Sequence, residues 1–560
     1  MAEDKRTDHP LDSEAGNIFL ARRISTGDPR RPWADAMAVA NGRVAAIGSR
    51  EAICAAYASW RVVDLEGALV LPGLIDPHNH VLEGARSALY ELQLAGDLDF
   101  GGIVEAVGRK AKRAGRTEWI VGGPFAIGRC PQMFSEAGRA ALDEASEGRP
   151  VLLRDLSLHA RFANTQALAR AGVDDATTDP RIGRFVRDGR GRLTGLAFEY
   201  AANPLEAAVP PLTDEEWVSC ARHGLKLLNA AGVTGFGLAI ASARTMKALK
   251  TLDEQGALSA RVACYLNMVP LLMAFERDGI GEELVSRRHE FRTARINTDS
   301  AKFFMDGVPL QHTAAFIDPY LDGPQGERGE CAFTVEDLAD RIGRLDAQGL
   351  SVKVHAIGDR AVRDTLDAIE RVRERSGHAN IRHTIAHLQF IAPDDVARLS
   401  KLNVGADLCP PMWFPLPNDS AFRACLGDGR VDGSWPIRDI VASRALAAVG
   451  SDWPAISPVP NPWPGISALI TRRNPFQPIA GRLGAAQAIE AKLAVALSSA
   501  NGAEMIGFGA VAGRLREGFS ADFIAIDRDV FSCDPEAIAD TKVLQTWFEG
   551  RCVHDIRAQA

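Results

Sequence analysis

The sequence contains no CxxC pair. Its nine cysteines, at positions 54, 130, 220, 264, 331, 409, 425, 533 and 552, are odd in number and scattered. That speaks against a thiolate zinc site and against a disulfide framework, and it predicts reduced thiols in a cytoplasmic protein. There is no uninterrupted run of about 18 apolar residues, so no membrane-spanning helix is expected. The opening stretch MAEDKRTDHPLDSEAG is mixed in charge and has no apolar segment of the secretory kind. Basic excess is also missing: the formal charge is −8, which offers a nucleic acid no electrostatic footing. This acidity is too mild to signal a disordered tail. Internal repeats and low-complexity tracts are absent as well. Neither nucleic acid nor membrane is therefore expected as a partner, and homo-oligomerisation is left open.

What is present is a chain of 560 residues, 46% hydrophobic and 24% charged, too long for one ordinary core and suited to two or three domains. After an N-terminal tail (1–15), residues 16–70 carry short β-like runs such as NIFLARRI and DAMAVANGRVAAIG, with NGRV as a hairpin turn. The C-terminus returns to this style in ADFIAIDRDVF and VLQTWFEGRCVHD. Residues 16–70 and 500–560 thus predict one small, β-sandwich-like domain built from both ends. Between them, strand-like runs alternate with helical stretches such as DRAVRDTLDAIERVRERSG, apolar at three- and four-residue spacing. That alternation predicts a parallel α/β fold over 71–499, either an open sheet or a (β/α)₈ barrel. Residues 84–230 exceed one β-α step and predict an insertion.

Chemistry gathers where the strand-like runs end. LVLPGLIDPHNH ends in His78 and His80. Residues i and i+2 of a strand point to one side, about 6.6 Å apart, so two imidazoles can converge on one ion. Later runs end in His355 (VKVHAIGD), His387 (IAHLQF) and Asp452 (AVGSDWP). In a parallel barrel all C-terminal strand ends open on one face, where active sites lie. Each residue has a plainer reading: a surface hairpin for the pair, a core histidine for His355, a strand or helix face for His387 and its neighbour His383, a turn for Asp452. The joint pattern favours a metal centre. Histidine and carboxylate ligands without cysteine suit a catalytic Zn²⁺, or Fe²⁺ or Mn²⁺. Lys302, in the apolar run AKFFMDGV, is either a lysine with its head in water or a buried, neutral amine. The latter could take up carbon dioxide and become an anionic ligand.

The order HxH, Lys, His, His, Asp resembles the amidohydrolase superfamily of (β/α)₈ metal-dependent hydrolases. LPGLIDPHNH, AKFFMDGVPLQHTAAF, VHAIGDRAV, IAHLQF, GSDWP and LREGFSADFIAIDRDVF are similar to its family 3 branch, which includes N-substituted formamide deformylases. The likeness runs from about residue 16 to 552, and SLHARFANTQALARAGV and IGRFVRDGRGRLTGLAFEYA fit the branch's long insertion. It implies the TIM-type barrel, a small companion domain, and one or two divalent ions, zinc first. The implied ligands are His78, His80, His355, His387, Asp452 and a carboxylated Lys302. Asp452 doubles as general base and acid in hydrolysing an amide-type C–N bond, of an N-substituted formamide or N-acyl compound. Ester, lactone or cyclic-amide hydrolysis and deamination are the alternatives on the same centre, and a non-catalytic barrel is the remaining one. His159 is expected to bind substrate, and Trp453 to wall an apolar pocket with Trp413, Phe414 and Trp463. Asp306 and Asp359 read as turn or supporting residues and His312 as structural. The sequence departs from the branch at Ala386, where Glu is frequent, at VGGPFAIG, and at SLH in place of xGH; these departures bear on the pocket rather than on the ligands.

Overall fold

The structure, a computed structural model, describes residues 16–559 apart from 114, 116, 117, 270–279 and 458. The expected N-terminal tail, 1–15, lies outside the described residues. Eight parallel strands follow one another in chain order: Leu74–Asn79, Val233–Ala241, Arg261–Asn267, Ile296–Phe304, Ser351–Ala356, His383–His387, Val404–Leu408 and Ala447–Val449. Nearly every residue in them is buried, as parallel strands covered by helices on one side and packed inward on the other must be. The flanking helices follow local rules. Thr334 caps Val335–Asp346 by accepting the Asp337 N–H at 3.1 Å. Asp359–Ser376 buries Val362, Leu366, Ile369 and Val372 along one stripe and stops at Gly377 in a left-handed conformation.

The barrel is a nearly closed one. Its first and eighth strands share no ladder; the seam is closed just beyond the eighth strand. The Asp452 N–H donates to the His78 carbonyl at 2.8 Å, and the His80 N–H to the Trp453 carbonyl at 2.7 Å. Beneath them, Asp76 accepts both the Ser451 hydroxyl, at 2.6 Å, and the Ser451 N–H, at 2.9 Å. Gly450 permits this approach, because a Cβ there would lie 2.7 Å from the His78 Cβ.

Between the first two strands, helices Val81–Tyr90 and Asp214–Ala230 pack on one another, with Gly224 admitting Val81. They belong to the barrel wall, so the insertion starts later and ends earlier than the 84–230 expected; helical crossovers and insertion residues look alike in sequence. The insertion proper holds a six-stranded sheet running from Leu92 to Phe198, parallel among its first three strands and antiparallel beyond. Ile120–Phe125 and Val151–Asp155 are two of its parallel strands.

The terminal strands form one eight-stranded mixed sheet. It curls on itself: the Phe19 ring meets Phe523 at 4.9 Å and Trp547 at 4.8 Å, although their strands are not neighbours. The C-terminal segment meets this sheet from about Gly518, where Ser520 bridges to Arg43, and enters it as a strand at Phe523. Helix Ala500–Met505, expected in the small domain, instead packs on the barrel, where Ala503 and Ile506 join Ile75, Ala263 and Tyr265.

Candidate active site

The C-terminal strand ends bring His78, His80, Lys302, His355, His387 and Asp452 around one small cavity, which the insertion closes with His159. The cavity measures about 20 Å³, roughly the room of one water or ion. Asp452 Oδ1 lies 3.4 Å from His78 Nε2 and 3.3 Å from His80 Nε2. Ligand atoms about 2.0–2.1 Å from a tetrahedral ion stand about 3.3–3.4 Å apart along each edge. The two edges that Asp452 makes therefore have the spacing of such a site, and all three atoms lie within 4.8 Å of one another. Lys302 Nζ is 3.4 Å from the same His78 nitrogen. His355 and His387 stand alongside, with ring centroids 4.3 Å apart, and His387 is 5.1 Å from His78.

The protonation pattern suits cation binding. The His387 Nδ1–H donates to the Cys409 carbonyl at 2.8 Å, which leaves Nε2 as a lone-pair donor in the neutral ring. The His78 Nδ1–H donates to Asp407 at 2.8 Å, with the same consequence. Burial, reinforced by Lys302 and neighbouring imidazoles, pushes the pKa of His78, His355 and His387 well below the usual histidine value. Neutral imidazoles are what an ion needs. Buried His80 Nδ1 has no hydrogen-bond partner among the described residues. His78, His387 and Cys409 also lie close enough to hold an ion, but the nitrogens nearest that sulfur are the two Nδ1 atoms already donating elsewhere. Burial also raises the Cys409 thiol pKa well above its ordinary value. The set His78, His80 and Asp452 fits a divalent ion; the cysteine set does not.

Burial, aided by Lys353, brings the pKa of Lys302 down to about 8. Asp407 and Lys353 escaped the sequence reading. Both are wholly buried, Lys353 donating to Asp407 at 2.5 Å and to the Pro77 carbonyl at 2.8 Å. A pair of opposite charges inside the apolar runs SVKVHA and NVGADL was the available signal. Glu199 was missed too: it accepts from His159 Nδ1 at 2.9 Å and from the Thr313 hydroxyl at 2.8 Å. Burial opposes a charge on His159, yet Glu199 raises its pKa above the usual value.

Backbone strain collects at these positions. Leu158, Glu199, His387 and Asp452 all have positive φ, between 49° and 76°; each such residue costs about 1–3 kcal/mol and persists only where its surroundings hold it. The other predicted residues lie as follows. Trp453 is buried with its ring against Gly84, away from the cavity lining. Trp413 and Trp463 are core residues, 0% and 1% exposed. Phe414 packs beside Phe476. His312 stacks on Tyr320 and pairs with Glu327 at 2.8 Å. Asp306 accepts the N–H groups of Ala315, Ile357 and Gly358 at 2.9–3.0 Å, and Asp359 that of Ile317 at 2.8 Å. They tie the loops behind His355.

Comparison with known proteins agrees with this architecture. YtcJ of Bacillus subtilis (strain 168) is 27% identical over 550 residues, 96% of this chain and 98% of its own. The N-substituted formamide deformylase of Arthrobacter pascens is 25% identical over 545 residues, 95% and 97% of the two chains. Among solved structures, an uncharacterized metal-dependent hydrolase from Pyrococcus horikoshii OT3 superposes with a TM-score of 0.73 at 22% identity, over 93% of this chain and 99% of that one. The sequence profile of the amidohydrolase family matches residues 61–554, and the chain belongs to that family.

Proposed function

We propose that this protein hydrolyses an amide-type C–N bond of a small molecule, of the N-substituted formamide or N-acyl class, with Asp452 as general base and then general acid. The observation that carries the reading is the placing of Asp452 Oδ1 3.4 Å from His78 Nε2 and 3.3 Å from His80 Nε2 in a small cavity that all three residues line. These three residues, with His355, His387 and Lys302 beside them, would hold one or two divalent ions, zinc first. Such an ion supplies Lewis acidity and lowers the pKa of a water from 15.7 towards about 7.

The chain's own groups do the rest. Asp452 takes the proton released as water adds to the carbonyl carbon, and returns it to the departing nitrogen. His159, held by Glu199, donates a hydrogen bond to the carbonyl oxygen as charge develops there. The depressed pKa of Lys302 leaves a share of neutral amine near neutral pH. That amine can add carbon dioxide, losing a proton to give a carbamate whose oxygens face the same cavity. All nine cysteines are free, in keeping with a cytoplasmic setting. No helix among the described residues is long and apolar enough to cross a membrane.

The test pairs metal analysis of the purified protein with hydrolysis assays on N-substituted formamides, N-acyl amino acids, lactones and amino-heterocycles. Turnover confined to the first two classes is the expected result; turnover confined to the others would replace the substrate assignment. Asp452→Asn is expected to lower kcat by at least about 10²–10⁴, and near-normal turnover would remove Asp452 as base. A carbamate carbon should appear by NMR after exchange into ¹³C-bicarbonate. An unmodified amine would reduce Lys302 to a neighbour.

A further inference from the structure

A larger cavity, of about 290 Å³, lies between the first barrel helix, the end of the second strand and the insertion. Its walls include Trp119, Trp217, Pro210 and Ile240, and Tyr90 also lines it while remaining 41% exposed to solvent. Two buried polar atoms belonging to its lining have no hydrogen-bond partner among the described residues: Glu83 Oε2, on a residue 8% exposed, and the Trp217 indole N–H, on a residue 5% exposed. An unmet acceptor and an unmet donor at such burial each cost about 1–3 kcal/mol. A ligand carrying both an N–H and a C=O would satisfy the pair.

Charge around the cavity narrows the class. Glu91 takes Arg86 at 3.0 Å and Arg154 at 2.6 Å, while Glu206 takes Arg154 at 2.8 Å and also Arg161. With Glu83 and with Lys110 and Glu118, which also line the cavity, these make four cationic groups against four carboxyl groups, so a charged head would leave an uncompensated charge in a buried setting. We propose that this cavity is a second, non-catalytic binding site for an uncharged amide with an aryl or alkyl body. The amide N–H donates to Glu83, its carbonyl accepts from Trp217, and its apolar body lies among Trp119, Pro210 and Ile240. Glu83 stands three residues beyond His80, in the first turn of the helix that His80 opens, so occupancy bears on the orientation of a proposed ligand.

The test is calorimetric titration of the metal-loaded protein with N-methylbenzamide. The wild type and Asp452→Asn are expected to bind it alike. Glu83→Leu and Trp217→Phe are each expected to bind at least tenfold more weakly, with metal content and melting temperature kept. Propylbenzene, which lacks both polar groups, is expected to bind at least tenfold more weakly than the amide. Loss of binding in Asp452→Asn alone would assign the amide to the metal centre and overturn the proposal. Unchanged binding in both cavity variants, tighter binding of benzylammonium than of the amide, or no binding by the wild type would overturn it equally. If one variant fails to fold, the other still decides.

Discussion

Lys353, Asp407 and His78 form a chain of hydrogen bonds in which each member fixes the next. Asp407 holds His78 in the tautomer that exposes Nε2, and Lys353 keeps Asp407 in place from two strands away. Partners of this kind govern affinity for an ion by about 10–100-fold. Asp407→Asn should therefore weaken zinc binding by that factor, measured by competition with a chromophoric chelator. It should also destabilise the fold by about 3–5 kcal/mol, because it strands a buried ammonium. Replacing both charges, as Lys353→Met with Asp407→Leu, should recover much of that stability in urea unfolding but not the affinity. Recovery of both would reduce the pair to a packing feature. The histidines at strand ends could be read from sequence because their spacing from apolar runs is local. Asp407 and Lys353 could not, because what marks them is burial against each other across 54 residues.

Elements meet most closely at the seam and at the edge of the insertion. Gly450→Ala would place a methyl group 2.7 Å from the His78 Cβ and 3.0 Å from its carbonyl oxygen. Something must shift, so both metal retention and thermal stability are expected to fall; a variant with full metal content would show that the seam yields freely. At the insertion edge, burial alone would raise the pKa of Glu206, but Arg154 and Arg161 outweigh it and bring it to about 2. A carboxyl group held below its ordinary 4.5 stabilises the fold above that pH and ceases to do so as pH falls towards 2. Glu206→Gln should flatten the dependence of unfolding free energy on pH in that window. An unchanged slope would mean that other carboxylates dominate acid unfolding. The strand and helix runs were visible in the alternation of apolar stretches. The insertion boundary was not, since Val81–Tyr90 is a barrel helix only by virtue of the partner it packs on, more than a hundred residues later.

For the molecule as a whole, two bodies share one cavity and a third stands outside it: the barrel contributes the proposed ligands, the insertion contributes His159 with Glu199 behind it, and the terminal sheet supports the barrel from outside. An ion that binds only the folded state adds about 4 kcal/mol of stability when its free concentration is about a thousand times Kd. Chelation is therefore expected to lower the melting temperature of the wild type and abolish turnover, with both restored by added Zn²⁺. His78→Ala should melt at the same temperature with and without chelator. A wild type indifferent to chelation would argue for a barrel that works without an ion. The architecture was readable from the family-like run of motifs. The insertion's share was readable in part: His159 was expected at the substrate, but Glu199, which holds it, lies 40 residues away in a segment with no metal-ligand spacing of its own.

The bond from Ser451 to Asp76 spans 375 residues. The proposed ligands on either side of it come from the first and the last strands of the barrel to be synthesised. During translation the growing chain can finish most of its strands and helices and still possess no ion site, because one carboxylate is missing until the eighth strand emerges. Loop closure over such a span is slow compared with local folding. Loading with metal is accordingly expected to be the last event in the protein's maturation, a step that follows release of nearly the whole chain and reports that the circle has closed.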